Sequence, residues 1–360
     1  MRIIHLVSNK AWGGGEQYVY DICRHLAADG HDVTIIHKPI PALRDRLAHL
    51  NLPLCEMHLG GISDLGSARK ISRLISKGSC ILHVHNFKDA FTAAFARKMS
   101  GNPDVRIVLT RHLVRSGKRG FMYRWLYRQL DRIIFVSELA QDRFMVGMPQ
   151  YVCDRSTVLH NSITIPEQIT CTDLKKELGL PDGCSILMYH GRIEQEKGID
   201  ILVKAFSAVH ADNLHLVLVG TGSQEYSQSL KESIQSSGLQ ERVHFAGFRS
   251  DIIACIREAS VGVIPSIVAE ACPLSCMEYM SQGKCVITTN NGGQAEYIEN
   301  GVTGILVPPA DAGQLADAIT SAITSGQAQA IGAAAARWFN SNLSYDVFYS
   351  RLTDIYKKLL

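Results

Sequence analysis

Short aliphatic runs that stop at a polar or glycine-rich step recur along the whole chain, and they restrict its fold more than any other feature. Ile3 to Val7, Val33 to Ile36, Ile81 to His85, Arg106 to Thr110 and Ile133 to Val136 are of this kind, as are Ser185 to Tyr189, Leu214 to Val219, Val261 to Pro265 and Cys285 to Thr289. A strand buried on both faces needs no apolar–polar alternation, and that is the state of a parallel sheet covered by helices. Helical patterns separate the runs. The expected class is therefore α/β, with doubly wound parallel sheets whose ligands sit beyond the carboxyl ends of the strands.

A chain of 360 residues has room for two such sheets, each burying its own core. Periodicity lapses over 164–183, where Pro166, Pro181 and Gly183 suit a linker, so the expected domains are 1–163 and 164–342. The net charge of +3 is too small to argue for a nucleic-acid partner. Ten cysteines lie scattered without C-x-x-C pairs, which suits free thiols in a reducing compartment, not a disulfide framework or a zinc site. The opening MRIIHLVSNK is too short an apolar run for a signal peptide, and no stretch reaches the roughly 18 apolar residues of a membrane span. A cytoplasmic location is expected.

Residues 261–293 carry the densest chemistry. After the strand-like run Val261 to Pro265 comes a loop with Glu270, then Pro273 at an expected first helical position, with Glu278 early in the helix and Gly283 at its stop. The free N–H groups of Leu274 and Ser275 form an anion site at the helix start, with a carboxylate on either side. That combination suits a phosphorylated ligand bearing hydroxyls, such as a sugar nucleotide. The spacing equally fits an ordinary βαβ unit with a solvated glutamate. Upstream, Gly191, Arg192 and Lys197 follow a strand end, where Arg as a fork and Lys as a point charge can clamp a diphosphate. Gly220-Thr221-Gly222 is a further strand-to-glycine turn.

In the first half, Asn9 to Glu16 reads as a glycine-rich turn, with Gly14 and Gly15, leading into a helix from Gln17 to Ala28. It does not match G-x-G-x-x-G. His83, His85 and His112 fall at strand ends, where a histidine can hold a hydroxyl or carbonyl oxygen at neutral pH. Residues 111–132 mix Arg115, Lys118, Arg119, Arg124 and Arg128 with Phe121, Met122, Tyr123, Trp125, Leu126 and Tyr127. A helical segment of that composition lies on an anionic membrane through residues 115–132, or is a core helix with solvated arginines.

GGGEQY at 13–18, DGHDVTII at 29–36, GRIEQEKGIDILVKAF at 191–206 and LVGTGS at 218–223 stand in order. Glu270 and Glu278 in an E-x7-E spacing, and NNGGQAEYIENGVTGILVPPAD at 290–311, complete the series. With these pieces the chain resembles, over nearly its whole length, the retaining glycosyltransferases of family 4, the group 1 type with a GT-B fold. The resemblance implies two Rossmann-like domains with parallel sheets facing across a cleft, an amino-terminal acceptor-side domain and a carboxy-terminal nucleotide-sugar-binding domain. It implies a terminal helix, 343–360, that crosses back to the first domain. The implied reaction moves a sugar from a nucleotide-sugar donor to a glycan or lipid-linked acceptor of cell-surface polysaccharide or lipopolysaccharide type, with retention and without an obligatory metal or other cofactor. A peripheral place on the inner face of the cytoplasmic membrane would suit such an acceptor.

Roles carry over by position. Arg192 and Lys197 match the pair on the donor diphosphate, Glu278 the carboxylate on ribose hydroxyls, and Glu270 the one near the donor sugar. Gly14 and Gly15 match the loop that approaches the phosphates, Gly222 a donor-side turn, His112 a histidine beside the reacting sugar, and Phe248 the nucleobase-facing segment. In the family picture the departing phosphate deprotonates the acceptor, so no protein base is assigned. The chain departs from the family at Glu270-Ala271-Cys272-Pro273, where E-G-F-G is common, so the sugar preference does not carry over. Asn161-Ser162 replaces the usual Asn-Gly. Epimerisation or phosphorolysis on the same fold, or a non-catalytic subunit that binds nucleotide sugar, are the alternatives.

Overall fold

The computed structural model describes residues 1–9, 12–169 and 172–360. Lys10 and Ala11 of the expected turn, and Thr170 and Cys171 of the expected linker, lie outside the described residues. Two compact units divide the chain, Met1–Asn161 with Asp346–Leu360, and Ser162–Tyr345.

The first unit holds β1 (Arg2–Val7), β2 (Asp32–His37), β3 (Leu54–Glu56), β4 (Cys80–Val84), β5 (Val105–Arg111), β6 (Arg132–Phe135) and β7 (Ser156–Val158), in the order β3-β2-β1-β4-β5-β6-β7. Every pairing is parallel. Ile4 pairs with Thr34 on one side and Leu82 on the other. The direction of winding reverses between β1 and β4, which opens a crevice at their carboxyl ends. The terminal helix Tyr345–Leu359 covers this sheet, and its Tyr356 hydroxyl meets His83 Nδ1 of β4 at 2.6 Å.

The second unit holds β8 (Ser185–His190), β9 (Leu214–Val219), β10 (Val243–Gly247), β11 (Val261–Ile264), β12 (Cys285–Thr289) and β13 (Ile305–Val307), in the order β10-β9-β8-β11-β12-β13, again all parallel. Its reversal lies between β8 and β11. Gly262 on β11 is glycine for a packing reason: a Cβ there would lie 2.5 Å from the Tyr279 ring, whose hydroxyl donates to the Met188 carbonyl at 2.7 Å.

Several local expectations need correction. The first helix begins at Gly14, not Gln17, because the Gln17 N–H already bonds the Gly13 carbonyl at 3.0 Å. Gly14 and Gly15 are thus the first helical turn. Pro273 is extended (ψ 113°) and precedes the helix Leu274–Ser281; its carbonyl accepts from the Tyr297 hydroxyl. The basic segment is helical only over Phe121–Gln129. There Leu126 and Tyr127 are buried and Trp125 stacks on Phe95, which leaves Phe121 and Met122 as the exposed apolar residues. The linker stretch contains a short helix, Leu174–Glu177, capped by Asp173. Among the described residues no helix is long and apolar enough to cross a membrane, and all described cysteines are free thiols.

Candidate active site

In the second unit, the two strands flanking the reversal lead into polar side chains. β8 finishes at His190, and the loop after β11 carries Ser266 and Glu270. His190 Nε2 lies 2.5 Å from Glu278 Oε2, and the ring packs edge-on against Tyr279. Lys197 Nζ meets Glu270 Oε2 at 2.8 Å, with side chains only 14% and 21% exposed. The Ser266 hydroxyl donates to the other Glu270 oxygen. A lysine–carboxylate pair and a histidine–carboxylate pair therefore stand beyond the ends of β8 and β11, the strands that flank the reversal. Leu274 and Ser275 contribute the first N–H groups of their helix, which have no acceptor within it.

The backbone that delivers Lys197 is tightly specified. After β8 the chain makes a single 3-10 turn, Gln195–Lys197, stopped by Gly198 at φ +67°. The Ile267 N–H then donates to the Glu196 carbonyl at 3.0 Å, tying this turn to the loop after β11. Gly222 serves the same region from the other side, bridging to Ile193; a Cβ on it would lie 1.7 Å from the Ile193 carbonyl oxygen. Close backbone approach is what demands glycine there.

Arg192 has an acid as its partner. Its guanidinium pairs with Glu196 at 2.7 Å, in an exposed contact (66% and 46%), of a kind that holds a side chain by no more than about 1 kcal/mol. The buried Tyr189 hydroxyl, its pKa pushed up by burial, donates to the Arg192 carbonyl at 2.6 Å. Phe248 follows the end of β10 and is 70% exposed. Sequence reasoning missed His190 and Ser266; being the last residue of a buried strand was the available signal for His190.

In the first unit a cavity of about 350 Å³ sits at the carboxyl ends of β1, β4 and β5, lined by Ser8, Gly15, Glu16, Asn86, Arg111 and His112 among others. Glu16, also missed, is 5% exposed and is held by Asn9. Behind the cavity runs a row of imidazoles. His112 Nε2 is 3.4 Å from His85 Nδ1, and His85 Nε2 is 3.3 Å from His5 Nδ1. His5, His83 and His85 bring ring nitrogens within 4.8 Å of one another, a spacing a metal could use. Both nitrogens of His83 are already engaged, however, by the Tyr356 and Thr110 hydroxyls.

Burial holds this row neutral. His5 is lowered to about 3 by burial, and His112 to about 4 by burial and then the Arg111 guanidinium. His83 and His85 are pushed well down by burial and by their neighbours. A base with a lowered folded-state pKa contributes stability that is complete above the unfolded value near 6.5 and is lost as pH falls towards the folded value. Asp89 runs the other way: burial raises it to about 7, so it favours the folded state as pH falls from there. Four histidines outweigh one aspartate. The urea midpoint of the first unit's transition is expected to drop between pH 7.5 and pH 5, with His5 alone accounting for about 2 kcal/mol. An unchanged midpoint would mean the row is solvated and protonates freely.

Residues 12–165 match Glycosyltransferase Family 4, and residues 172–338 match Glycosyl transferases group 1. The chain is 24% identical over 248 residues to an uncharacterized glycosyltransferase of Methanocaldococcus jannaschii, covering 64% of this chain and 62% of that protein. It is 26% identical over 261 residues to the amylovoran biosynthesis glycosyltransferase AmsK of Erwinia amylovora, covering 69% and 61%. The chain thus spans about six tenths of the length of these two relatives. HepE of Anabaena, solved in complex with UDP-glucose, shares the fold at a TM-score of 0.83 and 21% identity, over 99% of this chain and 100% of HepE. With one match on each half, and two parallel sheets of the same architecture, the chain belongs to the group 1 glycosyltransferases of family 4, with a GT-B fold.

Proposed function

We propose that the protein transfers a sugar, with retention of anomeric configuration, from a nucleotide-sugar donor to a glycan or lipid-linked acceptor. A UDP-sugar is the favoured donor, since HepE was solved with UDP-glucose. AmsK, named for amylovoran biosynthesis, supports a polysaccharide-type acceptor. The observation that carries the reading is the Lys197–Glu270 pair beside the start of the helix Leu274–Ser281.

Breaking the anomeric bond puts negative charge on the departing diphosphate. Lys197 and the N–H groups of Leu274 and Ser275 are fixed in advance to receive it, and fixed dipoles and charges need no reorganisation at the moment of reaction. Arg192 joins them by leaving its weak pair with Glu196. Glu278, steadied by His190, accepts from ribose hydroxyls, and Glu270 meets the donor sugar. Gly222 supports the donor-side turn, and Phe248 offers an exposed ring to the base. On the first unit, neutral His112 can exchange hydrogen bonds with a sugar hydroxyl, and Gly14 and Gly15 leave helix N–H groups open to an anion. No step requires a metal.

The test is incubation with a panel of UDP-, GDP- and ADP-sugars together with oligosaccharide and lipid-linked acceptors, with NMR of the products. Nucleoside diphosphate release from one donor, together with a product of the donor's anomeric configuration, is expected. An epimerised sugar still attached to its nucleotide, or no turnover of any donor, would overturn the proposal.

A further inference from the structure

Next to the His112 cavity lies a larger one, of about 750 Å³, that shares Ser8, Asn9, Asn86, Arg111 and Leu113 with it. Its charge is one-sided: Lys38, Lys88, Arg111, Arg115 and Lys118 line it, and among the described residues no carboxylate does. Like charges gathered around one space repel unless something of opposite sign comes between them.

Arg111 makes the case specific. It closes β5, is 7% exposed, and its Nε has no hydrogen-bond partner. Its guanidinium lies 4.4 Å from the centroid of Phe87, and no acid among the described residues forms an ion pair with it. A buried guanidinium, whose donors are arranged as a fork, is costly without an anion to receive them. The helix Phe87–Ser100 also begins at this wall. Asn86 caps the Asp89 N–H, which leaves the N–H groups of Phe87 and Lys88 at the cavity with the positive end of the helix dipole. Asp89 is not the missing counter-charge. It is fully buried below the wall and accepts from Asn86 Nδ2 at 2.7 Å.

The other lining is apolar. Ile62 and Leu113 are exposed large side chains, Phe91 and Tyr123 form part of the wall, and beyond Tyr123 stands Phe121 at 83% exposure. An anionic head with an apolar or sugar-bearing remainder fits these two linings together.

We propose that this cavity binds a phosphate or diphosphate group carried by the acceptor, so that the acceptor is a phosphorylated compound, either a lipid-linked diphosphate or a soluble sugar phosphate. Calling the ligand an acceptor rests on the transferase reading above; the anion site does not. Arg111 and the first N–H groups of the helix Phe87–Ser100 bind the inner oxygens, and Arg115 and Lys118 neutralise the outer charge. The adjoining His112 cavity is then within reach of the acceptor's sugar.

The experiment titrates inorganic pyrophosphate into the intact protein in the presence of saturating UDP, so that any nucleotide diphosphate position is already filled. One equivalent is expected to bind. Affinity should fall roughly tenfold in the double variant Arg115→Gln, Lys118→Gln, whose side chains are exposed and leave the fold alone, and roughly tenfold further with Arg111→Gln. Farnesyl diphosphate binding more tightly than pyrophosphate would identify the lipid-linked source; equal affinity would identify the soluble one. No uptake beyond UDP, or an affinity unchanged in the double variant, overturns the proposal. UDP binding is followed in parallel. Its absence would remove the transferase reading, while the pyrophosphate titration decides the cavity independently.

Discussion

Replacing Lys197 by alanine should lower the rate of sugar transfer by about a hundredfold or more, the usual cost of deleting one preplaced group that stabilises charge in the transition state. The ammonium lies 2.8 Å from Glu270, and both side chains are largely shielded from water. Lys197→Ala therefore has a second effect, a Glu270 carboxylate left, among the described residues, with the Ser266 hydroxyl as its side-chain partner, and stability should fall by about 1–3 kcal/mol. The double variant Lys197→Ala, Glu270→Gln reports on the stability effect alone, since Glu270 itself is proposed to meet the donor sugar. Neutralising the stranded carboxylate should restore the thermal midpoint, but transfer should stay low. Initial rates and thermal unfolding on the same preparations provide the comparison. Parent-like transfer by Lys197→Ala would remove the lysine from the mechanism.

Gly198→Ala should be strongly damaging to the carboxy-terminal unit. Gly198 stands at φ +67°, where an L side chain is disfavoured, and a Cβ would lie 2.2 Å from the Pro265 carbonyl oxygen. Left-handed strain and forced backbone displacement together should cost about 3 kcal/mol or more, measured by urea unfolding. Gly238 is the control: it has the same φ of +67°, but a methyl added there would meet nothing within 4 Å, so Gly238→Ala should lose only about 1–2 kcal/mol. Equal losses would mean that contact with Pro265 has no share. Transfer should also suffer in Gly198→Ala alone, because the displaced turn carries Lys197.

The glutamates and Lys197 could be placed beyond strand ends from the sequence because they follow the buried runs β11 and β8, and an unalternating run such as Leu214 to Val219 has few other readings. Glycines were legible as punctuation but not by reason: Gly222 stood out as a strand-to-glycine turn, but the close approach of its backbone to Ile193 could not be read. Gly14 and Gly15 looked like a loop because glycine is a poor helix former, yet the Gly13 carbonyl already closes the first turn. Short or weakly patterned elements escaped, among them β3, β13 and the alanine-rich helix Gln327–Asn342. His190 was invisible as a partner of Glu278 because their pairing spans 88 residues. The orphaned guanidinium of Arg111 was equally hidden: sequence displays a cation but not whether an anion faces it.

The return of the last helix to the first sheet has a bearing on synthesis. Strands β1 to β7 are made before the helix Tyr345–Leu359, so the polar ring of His83 and the face beside Phe348 and Tyr356 stay uncovered until that helix follows. The unit whose strands come earlier is thus completed after the other, and the intervening 184 residues, Ser162–Tyr345, can reach their own native state while it waits.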